Sequence, residues 1–532
     1  MYRFFGCIVA SLSVIHLAYA QQCSSDDEGS CSAPGLRLDK EALKWKPATI
    51  TVVLPCAGEE MFAKKTVASV VKSFGDDIDA LAEIVVVDDG SEPPLKTIFK
   101  KTFAEKHKVK LVRHKTTQGL IRAKSSGASQ ATGDLIVFYD CHVAPQPGWH
   151  KLFLESSAEN YRRIVVPSIT DLDIDRWEER TRQAPPVSKC YLTFDADFKW
   201  FEATSMHIPV LSGGLLGISS RWWNETEGYD HAMLGWGGEN IDQSVRTWLC
   251  GGEILALPAA RVAHMWRTPN DPRTQAKYKQ NPYQSIQNRL RAAVGWFGNF
   301  SQKLHHFPDM GRMLSKNPPD ISTFDKVRNK LQCRPFSWFL WRFRDIYINA
   351  GLVPPKTFLI RHIKSGKCLT YMGPAGTHPG GADKVSLLPC GELPQGRYGS
   401  SNPHAQRWQI ANKDFKSGEC CSGLRVWNSD QCLTGRQQVS TTVCDISGKR
   451  QEQWFSFTAS GDAKADAGQL SFVNGYQCVK KKKGDLTWGP CKTSGWVSSG
   501  EGATWELAEE EIPIEKTLYE QSLLDLPDML TE

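Results

Sequence analysis

The chain has 532 residues, 41% hydrophobic and 23% charged, an ordinary globular composition that excludes a disordered or collagen-like chain and leaves room for two to four domains at ~150 residues each. The formal net charge of +6 is too small to mark a nucleic-acid protein. No apolar run after residue 20 approaches the ~18–20 residues that cross a bilayer, which excludes a multispanning protein.

Residues 1–20 read as an address rather than a fold: Arg3, an apolar stretch from Phe4 to Leu17, then Ala18-Tyr19-Ala20 before Gln21. That is the pattern of a cleaved signal peptide, with a short N-terminal anchor as the alternative. Either would send the body into the lumen of the secretory pathway. The sequons Asn224-Glu225-Thr226 and Asn299-Phe300-Ser301 are compatible with this. So are the 16 cysteines, which suit an oxidising compartment. Seven of them lie between residues 23 and 333; the odd count leaves at least one thiol unpaired, and Cys141, inside the most polar motif, is the expected one.

A polar stem (21–48) precedes strand and helix patterns that alternate from Thr49. Ile50 to Leu54, Ile84 to Val87, Lys110 to Arg113 and Leu135 to Tyr139 read as strands, and Phe62 to Phe74 and Gly119 to Ala131 as helices. This spacing predicts an α/β domain over 49–343, a Rossmann-like, doubly wound and mostly parallel sheet with ligands at the carboxyl ends of its strands. Asp88-Asp89 and Asp140-Cys141-His142 both fall at such ends. Residues 344–356, finishing in Val353-Pro354-Pro355, read as a linker.

Beyond the linker, residues 357–508 repeat at intervals of roughly 45–60 residues. Cys368-Leu369 precedes Cys390 and Trp408, Cys432-Leu433 precedes Cys444 and Trp454, and Cys478-Val479 precedes Cys491 and Trp505. Three copies predict a threefold β-rich domain with one disulfide per unit, Cys368-Cys390, Cys432-Cys444 and Cys478-Cys491. Cys420-Cys421 stands outside the repeat. An acidic tail, 509–532, carries eight acids and one lysine.

Asp140 and His142 can place a carboxylate and an imidazole towards one cation. Such a D-x-H triplet is weak alone, but its surroundings strengthen it: Asp88-Asp89 earlier, then Gly213-Gly214, Trp236-Gly237-Gly238-Glu239 and His264. A mixed oxygen and nitrogen set suits Mn²⁺, and a divalent ion there can neutralise a leaving diphosphate.

With these residues in view, the run from Ile50 to Leu340 resembles the catalytic domain of the polypeptide N-acetylgalactosaminyltransferases, retaining GT-A enzymes. The resemblance is carried by EIVVVDDGS (83–91), GLIRAKSSGA (119–128), GDLIVFYDCH (133–142), SGGLLGI (212–218), GWGGENIDQSVRTWLCGG (235–252) and RVAHMWR (261–267). NRLRAAVGWF (288–297) and KLQCRPFSWFL (330–340) add to it, and the repeats from 368 onward are similar to a ricin B-type lectin β-trefoil. The resemblance implies Asp140, His142 and His264 as metal ligands. It implies Asp89, Cys141, Gly213, Gly214, Trp236 and Arg267 against a UDP-sugar donor, Glu239 and Arg267 in catalytic positions, and a Cys250-Cys333 disulfide. It further implies transfer of GalNAc from UDP-GalNAc to Ser/Thr hydroxyls of secreted or membrane polypeptides. With retention, the acceptor hydroxyl would attack on the face that UDP leaves and the diphosphate would take its proton, so no dedicated base is needed.

The chain also departs from the family pattern. An N-E-A stretch reads Gly58-Glu59-Glu60, a basic pair before GLIR is Thr116-Thr117, the segment after Arg267 reads Thr-Pro-Asn-Asp-Pro-Arg (268–273), and a cysteine before RVxH is Ala259. Two alternatives therefore stay open: a glycan-binding protein with a decayed transferase domain, and a GT-A enzyme using another UDP-sugar or a glycan acceptor. In the lectin repeats, the sugar-binding Asp after Cys-Leu is replaced by Thr370, Thr434 and Lys480. Neither residue type offers a bidentate acceptor, so any glycopeptide binding through this domain is expected to be weak.

Overall fold

The computed structural model of the protein describes residues 45–510 apart from 181–187, 203–204, 276–280, 350, 355, 379, 395–401, 411–422, 436–437, 447–448, 460–466, 473–476, 483–484 and 492–504. The signal segment, nearly all of the stem, Cys420-Cys421 and the acidic tail beyond Glu510 lie outside the described residues. Among the described residues no helix is long and apolar enough to cross a membrane.

The β-branched runs form the first sheet. β1 (Ile50–Cys56) leads through helix α1 (Glu60–Phe74) to β2 (Leu81–Asp89) and β3 (Val109–His114). Helix α2 (Leu120–Ala128), β4 (Leu135–Phe138), β5 (Val143–Pro145), helix α3 (Trp149–Glu159) and β6 (Arg163–Asp173) follow. A hairpin of β7 (Ser188–Leu192) and β8 (Phe198–Glu202) stands apart as its own two-stranded sheet. β9 (Leu216–Ser219), helix α4 (Glu239–Leu249) and β10 (Glu253–His264) complete the domain's centre. The strand order is β3-β2-β1-β4-β9-β6-β10-β5, with the short strand Glu178–Glu179 paired to β6. The first four strands are parallel, as their alternation with helices requires. The second half is mixed, because β9 runs antiparallel to both neighbours and β5 antiparallel to β10. The central strands are buried on both faces, and their valines and isoleucines feed two apolar clusters, one on each side of the sheet.

The second half is all-β, the trefoil that the repeats imply. Its first strand, Thr357–His362, pairs antiparallel with its last, Trp505–Glu510, and closes the domain. The three repeat disulfides form as expected. Two of the repeated tryptophans hold the backbone beside these bonds. Trp408 Nε1 donates to Leu369 O and Trp505 Nε1 to Val479 O, both at 2.9 Å. Each indole thus satisfies the carbonyl beside a half-cystine while filling the core.

The two halves touch closely. Ile346, Tyr347, Leu352 and Val353 belong to the first domain's core, and the Tyr347 hydroxyl bonds both to Leu192 N (3.0 Å) and to Leu192 O (3.1 Å). The tip and outer strand of the β7–β8 hairpin meet the trefoil: Thr377 N and Oγ1 each donate to Asp195 at 2.8 Å, and Lys199 pairs with Asp430 at 3.0 Å.

Candidate active site

Three features bring the ligand-type residues together. Asp140 and His142 follow β4 directly, in a segment pinned by Thr66, whose hydroxyl donates to Cys141 O (3.0 Å) and accepts from Val143 N (3.2 Å). His264 ends β10, where the antiparallel register sets it opposite Val143. Gly214 packs against Asp140 so closely that a Cβ there would stand 2.7 Å from Oδ1; only a residue without a side chain leaves the carboxylate its place.

The result is a group of one carboxylate and two imidazoles, Asp140, His142 and His264, whose ligand atoms all lie within 4.8 Å of one another. His264 Nε2 is 3.0 Å from Asp140 Oδ2, and His142 Nδ1 is 3.5 Å from Glu59 Oε2. The mixed donor set and the close convergence fit a divalent ion such as Mn²⁺. Burial alone would raise the Asp140 pKa, but the bond and charge of His264, then His142 and Lys124, hold it well below the usual carboxylate range. The ligand is therefore ionised at neutral pH, as metal binding requires.

The triad opens into a cleft of about 480 Å³ lined by Asp89, Cys141, Gly213, Trp236, Trp266 and Arg267 among others. Trp236 and Trp266 are 42% and 47% exposed, large ring faces available to a sugar or a base. Arg267 Nη2 donates to Glu59 Oε1 (2.9 Å), and Glu59 Oε2 lies 3.5 Å from His142 Nδ1. Burial opposes the charge on Glu59, yet His142 and Arg267 outweigh it and keep its pKa below the ordinary value. Glu59 therefore couples the guanidinium to the metal ligands. Asp89 does something more local: its carboxylate accepts from Gln118 N and Gly119 N, each at 2.8 Å, and from His114 Nδ1 at 2.7 Å. It fixes the 117–119 loop at the cleft's edge.

Glu239 does not line the cleft. It is 2% exposed at the start of α4, one layer down. Burial raises its pKa, opposed by the charge of Lys124. Lys124 is itself 1% exposed, with an Nζ that has no hydrogen-bond partner among the described residues, and desolvation lowers its pKa against the pull of Glu239 and Asp140. This buried lysine was not among the expected site residues. Its signal is in the sequence: Ile121, Lys124 and Ala128 share the buried stripe of α2, where a lysine is out of place.

Cys141 corrects an expectation. It is not a free thiol but is bonded to Cys56, and the reason is register. β1 and β4 pair in parallel with Ile50 opposite Leu135 and Val53 opposite Phe138; continued three residues, that register sets Cys56 beside Cys141. The disulfide leaves the neighbouring triad intact, with both cysteines in the cleft wall. Among the described residues the free thiol is Cys190, buried in β7. The Cys250–Cys333 bond is formed. Residues 268–275 fold on themselves, with Thr274 Oγ1 accepting from Thr268 N (3.0 Å) and Arg273 paired to Asp271.

Residues 51–220 match the family model described as glycosyl transferase family 2, and residues 202–269 the one described as N-terminal domain of galactosyltransferase. Polypeptide N-acetylgalactosaminyltransferase 8 of Drosophila melanogaster is 27% identical over 479 residues, covering 78% of this chain and 77% of the relative. Polypeptide N-acetylgalactosaminyltransferase 12 of Mus musculus is 30% identical over 348 residues, covering 61% of this chain and 58% of the relative. The chain thus spans little more than half the length of some curated relatives. The crystal structure of GalNAc-T7 with UDP, GalNAc and Mn²⁺ superposes with a TM-score of 0.52 at 23% identity, covering 87% of this chain and 82% of that one, a likeness of fold.

Proposed function

We propose that the chain is a member of the polypeptide N-acetylgalactosaminyltransferase family and that it transfers GalNAc from UDP-GalNAc to Ser/Thr hydroxyls of polypeptides in a Mn²⁺-dependent reaction. The observation that carries this reading is the convergence of Asp140, His142 and His264 at a cleft that also exposes Trp236, Trp266 and Arg267. A bound divalent ion would supply charge neutralisation for a departing diphosphate. The chain's own residues do the rest. Asp140, His142 and His264 would hold the ion, and Arg267, oriented by Glu59, presents a guanidinium suited to phosphate oxygens. Asp89 holds the loop that borders the donor. Lys124 is buried close enough to Asp140 and Glu239 for its titration to be coupled to theirs, with desolvation pulling its pKa down against their charges. Glu239 acts from that lower layer as a positioning residue.

The five disulfides among the described residues support an oxidising compartment, which the proposal takes to be the lumen of the secretory pathway and the Golgi in particular. A panel of UDP-sugars, assayed with Mn²⁺ on Thr-containing peptides, tests the reading. Transfer from UDP-GalNAc supports it, transfer from a different sugar alone reassigns the donor, and donor binding without any transfer supports the decayed-transferase alternative.

A further inference from the structure

One half of the Cys56–Cys141 disulfide stands between Asp140 and His142, and the other half is the last residue of β1. The β1–β4 ladder stops at the pair Val53 and Phe138, followed by a bond from Tyr139 N to Val53 O at 3.1 Å. Asp140, Cys141 and His142 therefore lie past the end of the ladder. A segment that has left its sheet keeps only the order that its remaining contacts give it. Here the Thr66 hydroxyl bridges Cys141 O and Val143 N, His142 O accepts from Met265 N at 3.2 Å, and the disulfide joins Cys141 to β1. Both half-cystines are buried in the cleft wall, so their bond acts through the backbone that it joins.

The same bond reaches Glu59. Cys56 leads through Ala57 and Gly58 to this carboxylate, which meets both Arg267 Nη2 (2.9 Å) and His142 Nδ1 (3.5 Å). The disulfide and the Glu59–His142 contact thus close a short ring, with Cys56 to Glu59 along one strand end and Cys141 to His142 along the other. Opening the disulfide would loosen two neighbouring turns at once, the one that carries two metal-ligand positions and the one that orients Arg267. Ordering loose ligand segments costs conformational entropy that binding must otherwise supply. A covalent link between the two turns removes much of that cost before an ion arrives.

We propose that the Cys56–Cys141 disulfide is a positioning element of the metal centre: it pre-orders Asp140 and His142 for the divalent ion and, through Glu59, holds Arg267 in place. It acts through these residues rather than on the reacting atoms. The inference rests on the metal-dependent reading above and deepens it, because it makes an oxidised cysteine pair a condition for tight metal binding.

The test measures Mn²⁺ binding to the full chain by electron paramagnetic resonance, which needs no turnover. Cys56→Ser/Cys141→Ser is expected to weaken binding about tenfold or more, while Cys432→Ser/Cys444→Ser, which removes a trefoil disulfide, leaves it unchanged. Reciprocity supplies a second readout in the unmutated protein: a bond that favours the ion about tenfold is itself favoured about tenfold by the ion. The wild type is equilibrated in mixtures of reduced and oxidised glutathione, with and without Mn²⁺, and each disulfide is followed by thiol trapping and mass mapping. In this exchange two glutathione thiols lose two electrons and two protons to form glutathione disulfide, and Cys56 and Cys141 gain them as two thiols. Saturating Mn²⁺ should raise about tenfold the ratio of squared reduced glutathione to glutathione disulfide that opens Cys56–Cys141, and leave the ratio for Cys250–Cys333 where it was. Equal Mn²⁺ affinity in the wild type and Cys56→Ser/Cys141→Ser would overturn the proposal. Should that variant fail to fold, the glutathione ratios decide: no shift at Cys56–Cys141, or an equal shift at Cys250–Cys333, overturns it as well. A wild type that binds no Mn²⁺ is a separate outcome, which overturns the metal-dependent reading and the clamp with it.

Discussion

At the carboxyl end of the first sheet, Asp140, His142 and His264 turn ligand atoms towards one point, and Gly214 keeps the space around them clear. In the trefoil, two of the three residues at the sugar-binding positions of a ricin-type lectin are turned inward. Thr370 is 0% exposed and donates to Cys368 O (2.9 Å) while accepting from Gln406 (3.0 Å). Thr434, 1% exposed, bonds to Cys432 O (3.0 Å) and Thr442 (2.8 Å). One region gathers a carboxylate and two imidazoles at an open cleft, where a ligand can join them. The other closes both of these hydroxyls within the fold. The two halves share a chain and an interface, yet the triad converges on an open cleft while these two hydroxyls are closed off inside their own repeats.

The comparison breaks most visibly at the ligands. Asp140→Ala or His264→Ala should lower sugar transfer by more than about 100-fold while circular dichroism and the melting profile stay close to wild type; a variant that transfers normally would show that the triad is structural. Gly214→Ala tests the clearance alone. Its methyl must displace the Asp140 carboxylate, and a loss of about 10–100-fold in kcat/KM is expected with little loss of stability.

Lys189→Met sharpens the comparison from the stability side, since a buried ammonium without a hydrogen-bond partner among the described residues destabilises the fold. Its folded pKa of about 8 lies below the unfolded value of ~10.4. Between these pH values the unfolded chain holds the proton and the folded chain does not, so stability rises with pH across that window and the full penalty applies below it. The substitution should therefore stabilise by roughly 1–3 kcal/mol at pH 7, with the gain shrinking towards pH 10 in thermal melts. The smallest expected effect is in the trefoil. Titration of the full chain with free GalNAc, with UDP blocking the cleft, should show no millimolar binding; a clear isotherm would show that residues other than Thr370, Thr434 and Lys480 have taken up sugar recognition.

Much of this was legible in the sequence because local patterns carry it. The β-branched runs marked β1 to β4, the Cys-and-Trp repeats marked the trefoil, and D-x-H with a later strand-end histidine marked the triad. Contacts decided by register or by distant packing were not legible. The Cys56–Cys141 bond depends on how β1 pairs with β4, and a count of cysteines cannot supply that. The Arg267–Glu59 pair joins residues 208 apart, and the burial of Lys189 follows from how the β7–β8 hairpin packs. The antiparallel direction of β9 was hidden for a similar reason, since a four-residue apolar strand reads alike in either direction.

The most direct test of the account is a metal titration of the purified chain. UDP-GalNAc labelled in the sugar is supplied with a Thr-containing peptide after exhaustive chelation, and Mn²⁺ is then restored stepwise. The account predicts that transfer is lost on chelation, returns with Mn²⁺ in the wild type and does not return in Asp140→Ala. Undiminished transfer by the chelated protein, or equal recovery in Asp140→Ala, would contradict it.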